Sequence, residues 1–306
     1  LPRKGSPLRL GRKIWKHRAF YLLLLPAVAY VILFCYTPMY GLQIAFKDYK
    51  GALGIAGSRW VGLKHFRSFF NSYNFLQLLR NTLALSLYSL AAGFPLPILL
   101  ALLLNETKSR FKRFSQTVLY APHFISMVVI CSIIRQFCLS DGVFNDIGAF
   151  FGAQRTALLQ KPGYFRTIYV GSGIWQEVGW GSIIYLSALA GIDQELYEAA
   201  TIDGAGRWKQ MLNVTLPGIA PTILILLIMR IGQLLSIGYE KIILLYNPTV
   251  YETADVISTY VYRRGLLEGG NYGYSAAVGM FNSVINFILL ASANKISRKL
   301  SGSGLW

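Results

Sequence analysis

Six stretches of the chain are almost wholly apolar: about 19–40, 76–104, 116–139, 165–190, 219–246 and 272–293. A helix needs about 20 such residues to cross a bilayer. The pattern therefore predicts an all-α membrane protein with six transmembrane helices. The second stretch is long enough to tilt, and Pro95 and Pro97 predict a kink in it. The fourth is the weakest, because Gly171, Ser172, Gly173, Gln176 and Gly179 dilute it. The longest connector, about 41–75, carries Trp60, Phe66, Phe69 and Phe70, aromatic residues suited to a membrane–water interface. Turn signals mark the other connectors at Asp141-Gly142, Asn247-Pro248 and Gly269-Gly270.

One connector differs from the rest. Residues 198–221, EAATIDGAGRWKQMLNVTLPGIAP, form a polar, Ala/Gly-rich loop between long apolar spans. The pattern predicts a short helix, a glycine turn, a second helix and a Leu-Pro exit. Asp193 is a candidate N-cap, Glu195 is favourable in the first turn, and Leu196, Ala199 and Ala200 share a stripe. Asp203-Gly204 is a helix-stop signal, with Gly204 and Gly206 free to take backbone angles other residues resist. Pro217 can open the next span. Small residues at Ala199, Ala200, Gly204 and Ala205 let a second surface approach closely, so the loop reads as a docking device.

Lysine and arginine orient the bundle. The first 18 residues hold seven of them and no acid, and the connector near 105–115 holds four. The 191–218 loop adds two and the tail from 294 adds three, so 16 fall on one side against nine in the other connectors. Both termini and the 191–218 loop are thus expected in the cytoplasm. The organisation is a basic tail (1–18), a transmembrane domain (19–293) with that cytoplasmic loop, and a C-terminal tail (294–306).

Composition supports this picture: 54% of residues are hydrophobic and 14% charged, with mean hydropathy +0.44. The net charge of +17 flanks membrane spans and lacks a nucleic-acid motif, so it is expected to anchor on anionic headgroups, with no nucleic-acid partner. The first apolar stretch is too long for a signal peptide and reads as a retained helix. Cys35, Cys131 and Cys138 fall in or beside spans with no histidine at zinc-type spacing, so buried apolar thiols are expected and no metal site.

No GxxxxGK[ST] loop occurs, so the chain lacks the usual ATP-hydrolysing motif. His17, His65 and His123 are scattered, and no catalytic cluster can be read from them. Polar groups inside spans are the better clues, since hydrocarbon penalises them. Arg230 and Gln233 share a face of the fifth stretch, with Tyr239 nearer its end. Asn282 and Asn286 lie four apart on the sixth beside Phe281 and Ser283, and Trp175, Gln176 and Trp180 mark one side of the fourth. Amides and aromatic faces suit sugar recognition, and Gln233, Tyr239, Phe281, Asn282 and Asn286 are the substrate-path candidates. The alternative for each is interhelical hydrogen bonding, with tryptophan as an interface anchor.

The loop resembles the EAA loop of ABC importer permeases. The resemblance extends over LLPAVAYVILFCYTPMYGLQIAFKDY, WVGLKHF, NTLALSLYSLAAGFPLPILLALLLNE, RFKRFSQTVLYAPHFISMVV, SDGVFND, ETADVISTYVYRRGL and YGYSAAVGMFNSVINFILLASANKISRKLS. The chain is similar to the carbohydrate class of binding-protein-dependent ABC importer permeases, in the oligosaccharide and polysaccharide subgroup that includes importers of alginate. The resemblance implies a type I permease fold in the cell inner (plasma) membrane. It makes Glu198, Ala199, Ala200, Asp203 and Gly204 the ATPase-docking core, closed by Leu216-Pro217. Met211 and Val214 stand where Phe and Ile are frequent. The implied partners are a second homologous permease, two ATPase subunits carrying ATP and Mg, an external solute-binding protein, and the lipid bilayer. No cofactor is implied on this chain. Rival readings are an ABC permease for another solute, a membrane-embedded sugar-processing enzyme, and a passive channel.

Overall fold

A computed structural model describes residues 15–301 and Gly304. Most of the basic N-terminal tail and the end of the C-terminal tail lie outside these residues. Among the described residues the fold is helical, with one two-residue antiparallel pair, β1 (Lys47–Asp48) and β2 (Arg59–Trp60).

Among the described residues, four helical runs are long and apolar enough to cross a membrane: Arg18–Phe46, Phe75–Asn105, Arg207–Gly232 and Tyr272–Lys299. A bent pair raises the number to five. The first run begins with α1 (Arg18–Val31) and passes through a widened turn at Ile32–Tyr36, ahead of Pro38. Such a π turn absorbs the hydrogen bond a proline cannot make. The most apolar window of this run has no buried residue within the chain. Cys35 on it is exposed, unlike Cys131 and Cys138, which are buried as expected.

After α2 (Lys64–Phe70), the second run is interrupted only at Phe94, ahead of Pro95, where α3 (Phe75–Gly93) gives way to α4 (Pro95–Asn105). Of the aromatic residues expected at the interface in the 41–75 connector, Trp60 and Phe70 are exposed and Phe69 is not. Phe46 stacks on Trp60 at 5.6 Å, but Phe69 is buried among Phe75, Tyr274 and Phe281. The predicted span 116–139 is not one helix. It divides into α5 (Ser109–Tyr120) with a 3-10 turn to Phe124, and α6 (Met127–Phe137), bent by 97°. Pro122 starts the break and Ser126 caps α6 by accepting from the Val129 amide.

The diluted fourth stretch forms α7 (Pro162–Ala190), 29 residues long. Its polarity keeps it below the hydropathy of a lipid-facing span. It is instead the central helix, packed against α3, α4 and α5 and against later helices. Glycine makes this possible: a Cβ at Gly179 would lie 2.0 Å from the Leu119 carbonyl oxygen. α8 (Gln194–Ile202) and α9 (Arg207–Gln210) follow in the 191–218 loop. α9 continues through a π turn at Met211–Thr215 into α10 (Leu216–Gly232). Pro217 therefore sits inside a continuous run and does not open a separate span. The fifth span was expected over 219–246, yet it starts earlier and stops at Gly232. A non-helical stretch leads to α11 (Tyr239–Leu245). α12 (Ile257–Tyr262) and the closing α13 (Tyr272–Ser301) complete the order, α13 lying along α10.

A buried polar network ties one end of the bundle. Asn81 Nδ2 donates to the carbonyl oxygens of Glu252 (2.8 Å) and Asp255 (3.0 Å), and Arg166 Nη2 donates to Asn81 Oδ1 at 2.8 Å. Arg263 grips Asp255 through two hydrogen bonds, 2.6 and 3.2 Å. Burial opposes the Arg263 charge, but these bonds and the Asp255 charge hold the guanidinium above its ordinary range. Every strong donor there has an acceptor, as a buried network requires.

Candidate functional site

Two places stand out, a cavity beside α7 and the exposed loop after it. The cavity has a volume of about 510 Å³ and follows α7 from Tyr169 to Ile184. It lies between two apolar clusters, one holding Val170 with Ile130 and Ile242, the other holding Tyr185 with Ala101 and Ile219.

Both broken spans open onto it. Met127, the first residue of α6, lines it, as do Gln233, Leu234, Ser236, Ile237 and Gly238 of the interruption after α10. Freed backbone groups at membrane depth need partners. Asn286 supplies them from α13: its Oδ1 accepts from the Leu235 amide at 2.9 Å, and its Nδ2 donates to Ser236 Oγ at 2.7 Å. Ser86 of α3 donates to the Leu234 carbonyl oxygen. The break is thus held from two neighbouring helices.

Charged and aromatic groups share the wall. His123 stacks on Trp180 with ring centroids 4.4 Å apart and planes 2° from parallel, and its Nδ1 lies 3.1 Å from Glu177 Oε2. Lys241 is buried, its Nζ donating to the Tyr169 carbonyl oxygen at 2.9 Å over the Tyr169 ring. Gln176 and Arg230 also line the space.

Of the five substrate-path candidates, the structure brings Gln233 to this cavity. Tyr239 stacks on Tyr262 at 4.9 Å, and Phe281 packs among Phe69, Phe70 and Phe75. Asn286 is engaged in holding the break. Asn282 has a buried Oδ1 without a hydrogen-bond partner and lies outside the cavity lining. Glu177 was not singled out from the sequence, and Lys241, a polar group of the fifth stretch, was not among the substrate-path candidates, yet both line the cavity. Their one signal was ionisable character within apolar stretches.

The loop is built by local chemistry. Asp193 caps α8, its Oδ1 accepting from the Glu195 amide at 3.0 Å. α8 ends at Gly204, whose φ of +74° lies in the left-handed region that glycine enters without penalty. The Gly204 amide bonds the Thr201 carbonyl oxygen (3.0 Å) and the Ala205 amide bonds that of Ala200 (2.9 Å). This pairing is a Schellman stop. Gly206 has ordinary extended backbone instead. Gln210 Nε2 then donates to Thr201 Oγ1 (2.9 Å) and the Ala205 carbonyl oxygen (3.1 Å), and Tyr197 Oη meets Thr215 Oγ1 at 3.0 Å. The turn is braced internally, yet its outer surface is uncovered. Glu198, Ala199, Asp203, Gly204 and Pro217 are exposed, Ala200 and Leu216 half-buried. Ile202 is 86% and Trp208 73% exposed.

Among the described residues, no group of three or more His, Cys, Asp or Glu is placed to hold a metal ion.

The profile of the family described as "Binding-protein-dependent transport system inner membrane component" matches residues 93–302. The chain is 45% identical over 306 residues to the polygalacturonan/rhamnogalacturonan transport system permease protein YteP of Bacillus subtilis, covering 99% of this chain and 95% of the relative. It is 46% identical to the protein LplB of the same organism over 288 residues, 94% of this chain and 90% of that one. Among solved structures, it resembles a chain of a bacterial alginate ABC transporter in complex with an alginate pentasaccharide-bound periplasmic protein. That match has a TM-score of 0.88 and 44% identity, covering 97% of this chain and 100% of the other.

Proposed function

The chain belongs to the family of binding-protein-dependent transport system inner membrane components, and on that basis we propose that it is the membrane-spanning permease subunit of an ATP-driven sugar importer. The cargo is an oligo- or polysaccharide, in keeping with the relatives named for polygalacturonan and alginate transport. A separate ATPase pair carries ATP and Mg, a second related permease completes the channel, and a solute-binding protein delivers cargo outside. The bundle crosses the inner membrane six times with both termini in the cytoplasm. The two broken spans each count once. α7, at roughly 43 Å, exceeds the hydrocarbon thickness of about 30 Å, and its polar groups are screened by neighbouring helices.

The observation that carries the coupling role is the braced, outward-facing turn at Glu198–Gly204. Its internal hydrogen bonds let it move as one body, and its bare Ile202 and Trp208 give an ATPase subunit something to grip. Closure of the ATPase pair would move α8 and α9, and α9 runs without interruption into α10, whose far end borders the cavity. Alternating access follows from that rigid linkage. Leu216 and Pro217 lie at the joint between loop and span. Its position in the cavity lining supports Gln233 as a substrate-path residue.

The test is ATP hydrolysis by the reconstituted assembly with a panel of neutral and acidic oligosaccharides. Stimulation by oligosaccharide, with an ATPase co-purifying, is expected. An assembly that recruits no ATPase, or responds to amino acids but to no sugar, would contradict the reading.

A further inference from the structure

Two cations face the cavity without an acid partner. Lys241 is only 7% exposed, and its hydrogen bond goes to a neutral carbonyl. Glu177 acts on it electrostatically without forming an ion pair. Arg230 lines the cavity from the end of α10, and no hydrogen bond or ion pair holds its guanidinium among the described residues. A cation at membrane depth is costly unless paired; that cost applies to the buried Lys241, whereas Arg230 is exposed on this chain and its guanidinium is free to meet a ligand. The acid on the same wall, Glu177, already faces His123 Nδ1 at 3.1 Å. The balance of fixed charge therefore favours an anion.

The two cations reach the cavity from different elements: Lys241 of α11 meets α7 at Tyr169, and Arg230 comes from the last turn of α10. The same wall offers the amides of Gln176 and Gln233 and the indole of Trp180.

We propose that Lys241 and Arg230 are two carboxylate stations for an acidic sugar chain in this cavity. The inference rests on the sugar-importer reading and names the cargo as uronate-bearing. The ammonium offers a point charge and the guanidinium a planar fork, and each forms a charge-assisted hydrogen bond with a sugar carboxylate. The wall amides serve ring hydroxyls. A chain bearing several carboxylates can engage the second station before leaving the first, whereas a neutral chain meets neither.

The experiment is uptake by the complete importer in vesicles, comparing an oligogalacturonate with a neutral galactose oligosaccharide of equal length. For Lys241→Gln and for Arg230→Gln, KM for the acidic chain should rise about tenfold, as expected for loss of a hydrogen bond to a charged group. The salt dependence of KM should weaken, and the preference over the neutral chain should shrink. Arg230→Lys, which keeps the charge, should recover most of the loss. An unchanged acidic KM in both glutamine variants would overturn the proposal. So would an equal loss for neutral and acidic chains, or failure of Arg230→Gln to assemble with the partner permease, which would place an acid partner for Arg230 there. Uptake of neither sugar by the unmodified importer would overturn the sugar-importer reading as well.

Discussion

The loop at 191–218 and the interruption at 233–238 are both departures from apolar helix, yet they are stabilised in opposite ways. The loop closes its hydrogen bonds within itself: Asp193, the Gly204 turn and Gln210 each find partners inside the same stretch of fewer than twenty residues. The interruption depends on distant helices, with Asn286 and Ser86 reaching in from α13 and α3. One is a self-sufficient body with a bare exterior, suited to transmitting force. The other is part of a packed wall and loses its shape if either neighbour shifts. Substitutions in the wall should therefore damage the fold, whereas those on the loop should leave the fold intact and interrupt coupling.

The largest effect is expected at Gly179→Ala. The added Cβ would fall 2.0 Å from the Leu119 carbonyl oxygen, so α5 must separate from α7. Overpacking of this kind costs about 1–3 kcal/mol or more, and the purified chain should show a lowered Tm together with lost uptake. Next comes Asn286→Leu, which leaves the Leu235 amide buried and unpaired. A loss of about 1–3 kcal/mol is expected, read as reduced thermal stability with uptake falling in parallel. Trp208→Ala sharpens the contrast. Its exposed side chain adds little to the fold, so stability should change by less than about 0.5 kcal/mol, while ATPase affinity in a pull-down titration drops about tenfold or more. The smallest effect is Asp146→Asn. It breaks the Arg155–Asp146 pair at 2.6 Å, but both side chains are about half exposed, and a shift of only about 0–1 kcal/mol in unfolding is expected.

The same contrast explains what could be read from sequence. The loop was legible because its determinants are local: an N-cap aspartate and an Asp-Gly stop act over a few residues. The long runs around 19–40, 76–104 and 272–293 were legible for a similar reason, since hydropathy sums over adjacent positions. The break at Pro122–Ser126 had local signals in its proline and capping serine, but the apolar residues around them carried the window across. The break at Gln233–Gly238 was not legible, because the groups that make it tolerable come from elsewhere in the chain. Gly232 and Gly238 bracketed the second break, but apolar neighbours carried the window across it. The fourth stretch looked weak on hydropathy for a physical reason. Its glycines and glutamine serve contact with other helices and the cavity instead of lipid. Asn286 illustrates the limit most plainly: an amide on a span signals a partner, and only the fold shows that the partner is backbone.

The most direct test of the coupling role is ATP-driven uptake by the reconstituted importer carrying Gly204→Val, with ATPase binding measured on the same preparation. The left-handed turn disfavours a β-branched residue, so the Glu198–Gly204 body should be misshapen and uptake should fall about tenfold or more while the bundle stays folded. Uptake at the unmodified rate, with both ATPase subunits still bound, would contradict the account.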